Sequence, residues 1–224
     1  MKIDRAGLPF ILGALVSAAA LVALRRPGWA LPLASLAGFF GFFFRDPTRE
    51  IPDDARDPHM VLAPADGRVM HAGPAEAGTA PQGRWTQISI FLSPLNVHVN
   101  RTPVSGRILE VDYRPGRFLP AYRHDAAADN ERNEIRIDHQ GQTVVCRQVV
   151  GLLARRVVCR LVPGMDVTLG QRLGIMKFGS RMDVFLPTDS DVHVAVGETV
   201  RGGETIIARM RPIRSSAVGS KDRH

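Results

Sequence analysis

Residues 6–24, AGLPFILGALVSAAALVAL, run without a single charge, and after RRPG a second uncharged run, WALPLASLAGFFGFFF, ends at Arg45. As helix, at about 1.5 Å per residue, the first run approaches the roughly 30 Å thickness of bilayer hydrocarbon, and the second falls a little short. Together they predict an apolar helical hairpin over residues 1–44 that anchors the chain to a membrane. A signal peptide competes for the first run, since Lys2 and Arg5 form a basic start, but the second run argues against it. Basic residues flank all three ends (Lys2 and Arg5; Arg25 and Arg26; Arg45 and Arg49), so charge does not set an orientation. A hairpin embedded from one face and a two-span hairpin both return the chain to the side of its N-terminus, and the pattern leaves the two open.

From Asp46 the pattern changes. FRDPTREIPDDARDPH, rich in proline and charge, reads as an extended linker leaving the lipid. Beyond it come short apolar alternations broken by Gly, Pro and Asp: MVLAPADGRVM, TQISIFLSP, VHVNRTPVSGRILEVDY, NEIRIDHQGQTVVCRQVVG, MDVFLP and VHVAVGETVRGGETIIARM. Period-two runs of this length predict a mainly β domain over 45–224 and no long amphipathic helix after residue 45. APADGRV and VAVGETVRGGETII resemble the strand-turn-strand phrases of lipoyl and biotinyl carrier domains, but neither holds the lysine such carriers modify. The resemblance to carrier-domain phrases implies that the domain is compact and β-sandwich-like with barrel-sandwich-like features. The basic, polar end RPIRSSAVGSKDRH reads as a frayed tail.

Composition narrows the function classes. The 224 residues are 45% hydrophobic, enough for a core, and carry a net charge of +7, which suits contact with something anionic. Aromatic residues are 6% of the chain and gather near the N-terminus instead of interleaving with Lys and Arg, which argues against nucleic acid. Cys146 and Cys159 read as buried reduced thiols, and the seven histidines show no metal-ligand spacing. No phosphate-binding glycine loop and no G-x-S-x-G elbow is present.

The candidate chemistry lies in three places: Asp66 in PADG, His98 in SPLNVHVNR, and Ser180 in KFGSRMDVFLP. Each has an ordinary reading as well. An Asp before Gly67 suits a turn, His98 alternates with Val97 and Val99 as a strand histidine would, and Gly179-Ser180 could be a turn pair. Taken in order, however, the phrases FFRDPTR, APADGRV, FLSPLNVHVNRTPVSG, QVVGLLARRVVCR and LGIMKFGSRMDVFLP closely resemble the short bacterial and archaeal form of phosphatidylserine decarboxylase, across most of residues 40–210.

That resemblance implies a proenzyme that cuts its own backbone between Gly179 and Ser180. The Ser180 hydroxyl attacks the Gly179 carbonyl to form an ester, and elimination and hydrolysis leave a pyruvoyl group on residue 180. A β chain of residues 1–179 and an α chain of 180–224 stay associated. The pyruvoyl ketone then forms a Schiff base with the serine headgroup and takes up the electrons released with CO2, so that neither pyridoxal phosphate nor a metal is needed. The products are phosphatidylethanolamine and CO2. His98 is the expected base for processing, for turnover or for both, with Asp66 orienting its imidazole as in a triad. Longer relatives carry a second histidine where this chain has Arg101, which is expected instead to bind the substrate phosphate or carboxylate. The implied partner is a membrane phospholipid, the implied place the bacterial cell membrane with the catalytic domain on the cytoplasmic side, and the oligomeric state stays open. Two other readings compete: a non-enzymatic membrane adaptor with a lipoyl-like domain, and a pyruvoyl decarboxylase for another serine-headgroup lipid.

Overall fold

The computed structural model describes residues 2–123, 126–152, 157–177 and 180–213. The two apolar runs form helices α1 (Leu8–Ala23) and α2 (Pro27–Phe43), each with proline in its first turn, where the missing N–H costs nothing. Their seam is built from small side chains, Ala14, Ala18, Ala30 and Ala37, while Leu12, Leu15, Val16, Val22, Trp29 and Leu31 stand outward and exposed. The apolar stretch Arg5–Ala23 is long enough to cross a membrane, whereas Pro27–Phe43 is shorter. At the base of the hairpin Lys2–Ile3 pairs antiparallel with Arg45–Asp46. Buried Asp4 caps the first turn by accepting from the Ala6 amide, and both its oxygens lie 2.7 Å from Arg160 Nη2. Gly7 has no alternative here, because a Cβ would collide with the Phe44 ring.

The remainder is mainly β, as the alternations predict. An eight-stranded antiparallel sheet runs, in spatial order, Asp166–Val167, Gly106–Arg114, Arg132–His139, Gln142–Val150, Ser180–Leu186, Thr86–Leu92, Gly67–Pro74 and Thr199–Val200. A three-stranded sheet is ordered Val157–Cys159, Arg172–Met176, Val99–Arg101, and another Asp191–Val192, Ile206–Arg209, Met60–Leu62. The core lies between them. Ile88, Ile90, Leu92, Met182, Val184 and Leu186 from the large sheet pack with Leu173 and Met176 from one small sheet and Val61 and Ile207 from the other. This is a sandwich. The large sheet ends in short edge strands and does not close into a barrel.

The phrase RMDVFLP shows why the strand at Ser180 has two characters. Met182, Val184 and Leu186 alternate into the core, and Ser180 shares their face by the period of two. On the opposite face Arg181 and Asp183 are just as buried, joined at 2.6 Å, with Arg181 also donating to the Ser89 hydroxyl at 3.0 Å.

A second apolar cluster joins the hairpin to the sandwich. Phe43 and Phe44 at the end of α2 bury themselves against Val97, Val99 and Ile175. The linker that follows is pinned by charge. Asp46 receives Arg101 at 3.1 Å and also Arg172, and Arg49 reaches Asp66 at 2.8 Å and Glu204 at 3.3 Å.

Candidate active site

Two crossings between sheets define the site. The chain leaves the large sheet at Leu92, passes through residues 93–98 and enters a small sheet at Val99; later it leaves that sheet at Met176 and rejoins the large one at Ser180. Leu92 is paired with Ser180, and Val99 with Ile175, so the strand ends that flank the two crossings lie side by side. The Met176 amide donates to the His98 carbonyl at 3.3 Å and fastens one crossing to the other. Strand pairing therefore carries His98 to the approach of Ser180. Gly179 lies outside the described residues.

Ser180 is fully buried and held on both sides, by Leu92 in one neighbouring strand and Val150 in the other. Its Oγ has no hydrogen-bond partner among the described residues. A buried hydroxyl costs stability when left unpaired, so an orphaned hydroxyl in a rigid strand pair invites a chemical explanation.

His98 is also fully buried, with its ring 4.1 Å from the Phe43 ring at 33°. Its Nδ1 stands 3.0 Å from the Asn96 carbonyl, which accepts, so Nδ1 carries the proton and Nε2 is the basic nitrogen. The carbonyl is itself held in place, because the Asn96 side chain accepts from the amide and hydroxyl of Ser93 at 2.8 Å. Burial pushes the imidazole down to about 4; the Asn96 carbonyl works in the other direction, and the Arg45 charge adds to the depression. At neutral pH the ring is a neutral acceptor, the form a general base requires.

The structure does not bring Asp66 to this imidazole. Both oxygens of Asp66 face Arg49, at 2.9 and 2.8 Å, and one also accepts from the Gly202 amide at 2.8 Å. The triad geometry expected from the sequence is therefore replaced by a brace: Asp66 ties the linker at Arg49 to the turn at Gly202. Arg101 is likewise consumed. Its guanidinium donates to the Gly170 carbonyl, to Asp46 and to the Pro47 carbonyl, each at 3.1 Å, and the group is buried. In place of the expected headgroup, the guanidinium meets two carbonyls and a carboxylate of its own chain, which take up three of its five N–H groups.

Several residues of the site escaped the sequence reading. Phe43 and Arg45 sit at the hairpin's end, where the first reads as one more apolar residue and the second as a flanking charge. Yet Phe43 stacks on His98, and Arg45 donates to the Phe42 and Leu95 carbonyls at 2.8 and 2.7 Å, bridging the helix to the 93–98 crossing. A signal for Asn96 and Asn100 was present. In NVHVN the polar residues fall at every second position around His98, with Val97 and Val99 packed into the apolar cluster between them.

Comparison with known proteins now bears on this geometry. Residues 36–208 match the model of the family described as phosphatidylserine decarboxylase. Among curated relatives, the phosphatidylserine decarboxylase proenzyme of Solibacter usitatus (strain Ellin6076) is 44% identical over 210 residues, covering 93% of this chain and 97% of that protein. The proenzyme of the same name from Chlorobaculum parvum is 46% identical over 187 residues, 82% of this chain and 86% of its own. That of Wolbachia pipientis wMel is 42% identical over 174 residues, 75% and 74% of the two chains.

Proposed function

The chain belongs to the phosphatidylserine decarboxylase family, and from that premise we propose that it cleaves itself before Ser180, carries a pyruvoyl group there, and converts phosphatidylserine to phosphatidylethanolamine and CO2 at a membrane surface. The observation that carries the proposal is the Ser180 hydroxyl, fully buried, fixed between two strands and without a hydrogen-bond partner among the described residues. A serine kept only for packing there would be better replaced by alanine, which leaves no polar atom to desolvate.

In self-cleavage a bond forms between Ser180 Oγ and the carbonyl carbon of residue 179, the C–N bond breaks, and the hydroxyl proton ends on the freed nitrogen. Neutral His98 is the group suited to carry that proton through Nε2, since its Nδ1–H is committed to Asn96. The ester then eliminates the residue-179 carboxylate, and water releases ammonia to leave the ketone. The pyruvoyl group would supply an electron sink for decarboxylation. The residues around it do the rest. The rung between Leu92 and Val150 keeps residue 180 in a dry, fixed position after cleavage, and the remaining strand to Leu186 keeps the two chains together through its pairing on both sides. Asp66 serves as a positioning residue through Arg49 instead of touching the reacting atoms.

The hairpin suits a lipid substrate. Its outer surface is apolar, and Phe43 at its base touches the His98 ring, so a bilayer around α1 and α2 lies against the side of the domain that holds the site. Intact-mass analysis of the purified wild type should find two chains, 1–179 and 180–224, with residue 180 as pyruvoyl. Ser180→Ala should give one uncut, inactive chain. An active wild-type preparation made only of the full-length chain overturns the proposal, and an inactive uncut one is what a membrane adaptor would give.

A further inference from the structure

We propose that Asn100 is a catalytic residue of self-cleavage, its side-chain N–H donating to the carbonyl oxygen of residue 179 as the Ser180 hydroxyl adds to that carbon. The inference rests on the self-processing reading and assigns a role to a residue that reading does not use.

Asn100 is fully buried on the short strand Val99–Arg101, opposite Gly174, which has no side chain to fill the rung. A relay of amides sets its orientation. Asn133 Nδ2 donates to Gln148 Oε1 at 3.2 Å, and Gln148 Nε2 donates to Asn100 Oδ1 at 2.9 Å. With its oxygen taken, Asn100 is left with Nδ2 as a buried donor that has no partner among the described residues. Gln148 lies opposite Met182, and Val150, two residues further on, lies opposite Ser180, so both pairs share one face of the sheet about 7 Å apart. The relay thus ends beside the layer into which Ser180 points. The Ser180 hydroxyl and the Asn100 amide, both buried and both without a partner among the described residues, are thus linked through Gln148 and the register of its strand with Ser180–Leu186.

The chemistry needs a donor there. Addition of Oγ to a backbone carbonyl turns that oxygen into an anion in a site closed to water, where a preorganised N–H is most effective. The guanidiniums nearest in sequence are committed: Arg101 to Gly170, Asp46 and Pro47, and Arg181 to Asp183 and Ser89. Asn100 fills the role without charge. The proton leaves Oγ for His98 as the C–O bond forms, and returns to the nitrogen as the C–N bond breaks.

Asn100→Asp keeps the shape and the acceptor that Gln148 addresses but removes the N–H. Gln148→Glu reverses the relay, since a carboxylate accepts from Asn100 and draws its N–H away from the site. Each variant, made by cell-free synthesis into vesicles, should form the two chains about 100-fold more slowly than wild type, read by gel and intact mass. Hydroxylamine, which cuts esters, should release nothing from the uncut chains, because the defect precedes the ester. Melting in a Ser180→Ala background, where no variant can cleave, should stay within a few degrees of the parent; if Asn100→Asp fails to melt cooperatively, Gln148→Glu decides. Cleavage at the wild-type rate in either folded variant, or a hydroxylamine-sensitive uncut chain, overturns the role of Asn100 alone. A wild-type chain that never cleaves instead removes the reading on which the inference stands.

Discussion

The buried, neutral histidine makes stability depend on pH in a way that can be isolated. An imidazole in the unfolded chain takes its proton near 6.5, whereas His98 in the folded protein is pushed down to about 4, chiefly by burial. Between those values the unfolded state holds more protons than the folded one, so stability rises with pH through the window and falls on acidification. At about 1.4 kcal/mol per pH unit, the step from 6.5 to about 4 amounts to about 3 kcal/mol lost as pH drops from 7 to 4. Carboxylates titrate in the same range, so the measurement must be a difference. The parent is Ser180→Ala, which keeps the chain whole, and the comparison adds His98→Gln, which cannot titrate. Urea unfolding in detergent micelles, followed by the fluorescence of Trp85 beside the Thr86–Leu92 strand, gives stability at each pH. The parent should lose about 3 kcal/mol more than the double variant between pH 7 and pH 4. Parallel curves would show that the folded imidazole titrates like a solvated one, and His98 could not then be the permanently neutral base of the mechanism.

Phe43→Ala should let water reach the His98 ring, so that the imidazole C2–H resonance titrates well above 4, while the lost packing costs about 3–5 kcal/mol; an unmoved midpoint would exclude Phe43 as the source of the burial. Arg49→Met and Asp66→Asn each strand a charge or leave a largely buried partner unpaired, and each should cost about 3 kcal/mol. The double variant should cost much less than the sum, and simple additivity in that cycle would refute the brace. Removing residues 1–44 should leave Val97, Val99 and Ile175 without the cover of Phe43 and Phe44 and yield an aggregated domain; a soluble, monodisperse, self-cleaving remainder would show that the hairpin is an anchor only.

Much of this was written in local pattern. Uncharged runs with proline at their starts suffice for two helices, because in each the backbone satisfies itself within one segment. Period-two alternation suffices for strands such as Ser180–Leu186, because a half-buried strand must show its faces in turn. Ser180, His98 and Asp66 could be chosen as candidates from phrases alone. Their relations could not. That Asp66 faces Arg49 and not His98, that Arg101 is spent on Asp46 and two carbonyls, and that Phe43 closes over the imidazole all depend on pairings between residues distant in the chain. The neutrality of His98 and the Asn100 donor left unpaired among the described residues are likewise properties of burial. A residue's charge and hydrogen-bond balance are set by what surrounds it, and its surroundings exist only after two sheets and a hairpin have closed on one another.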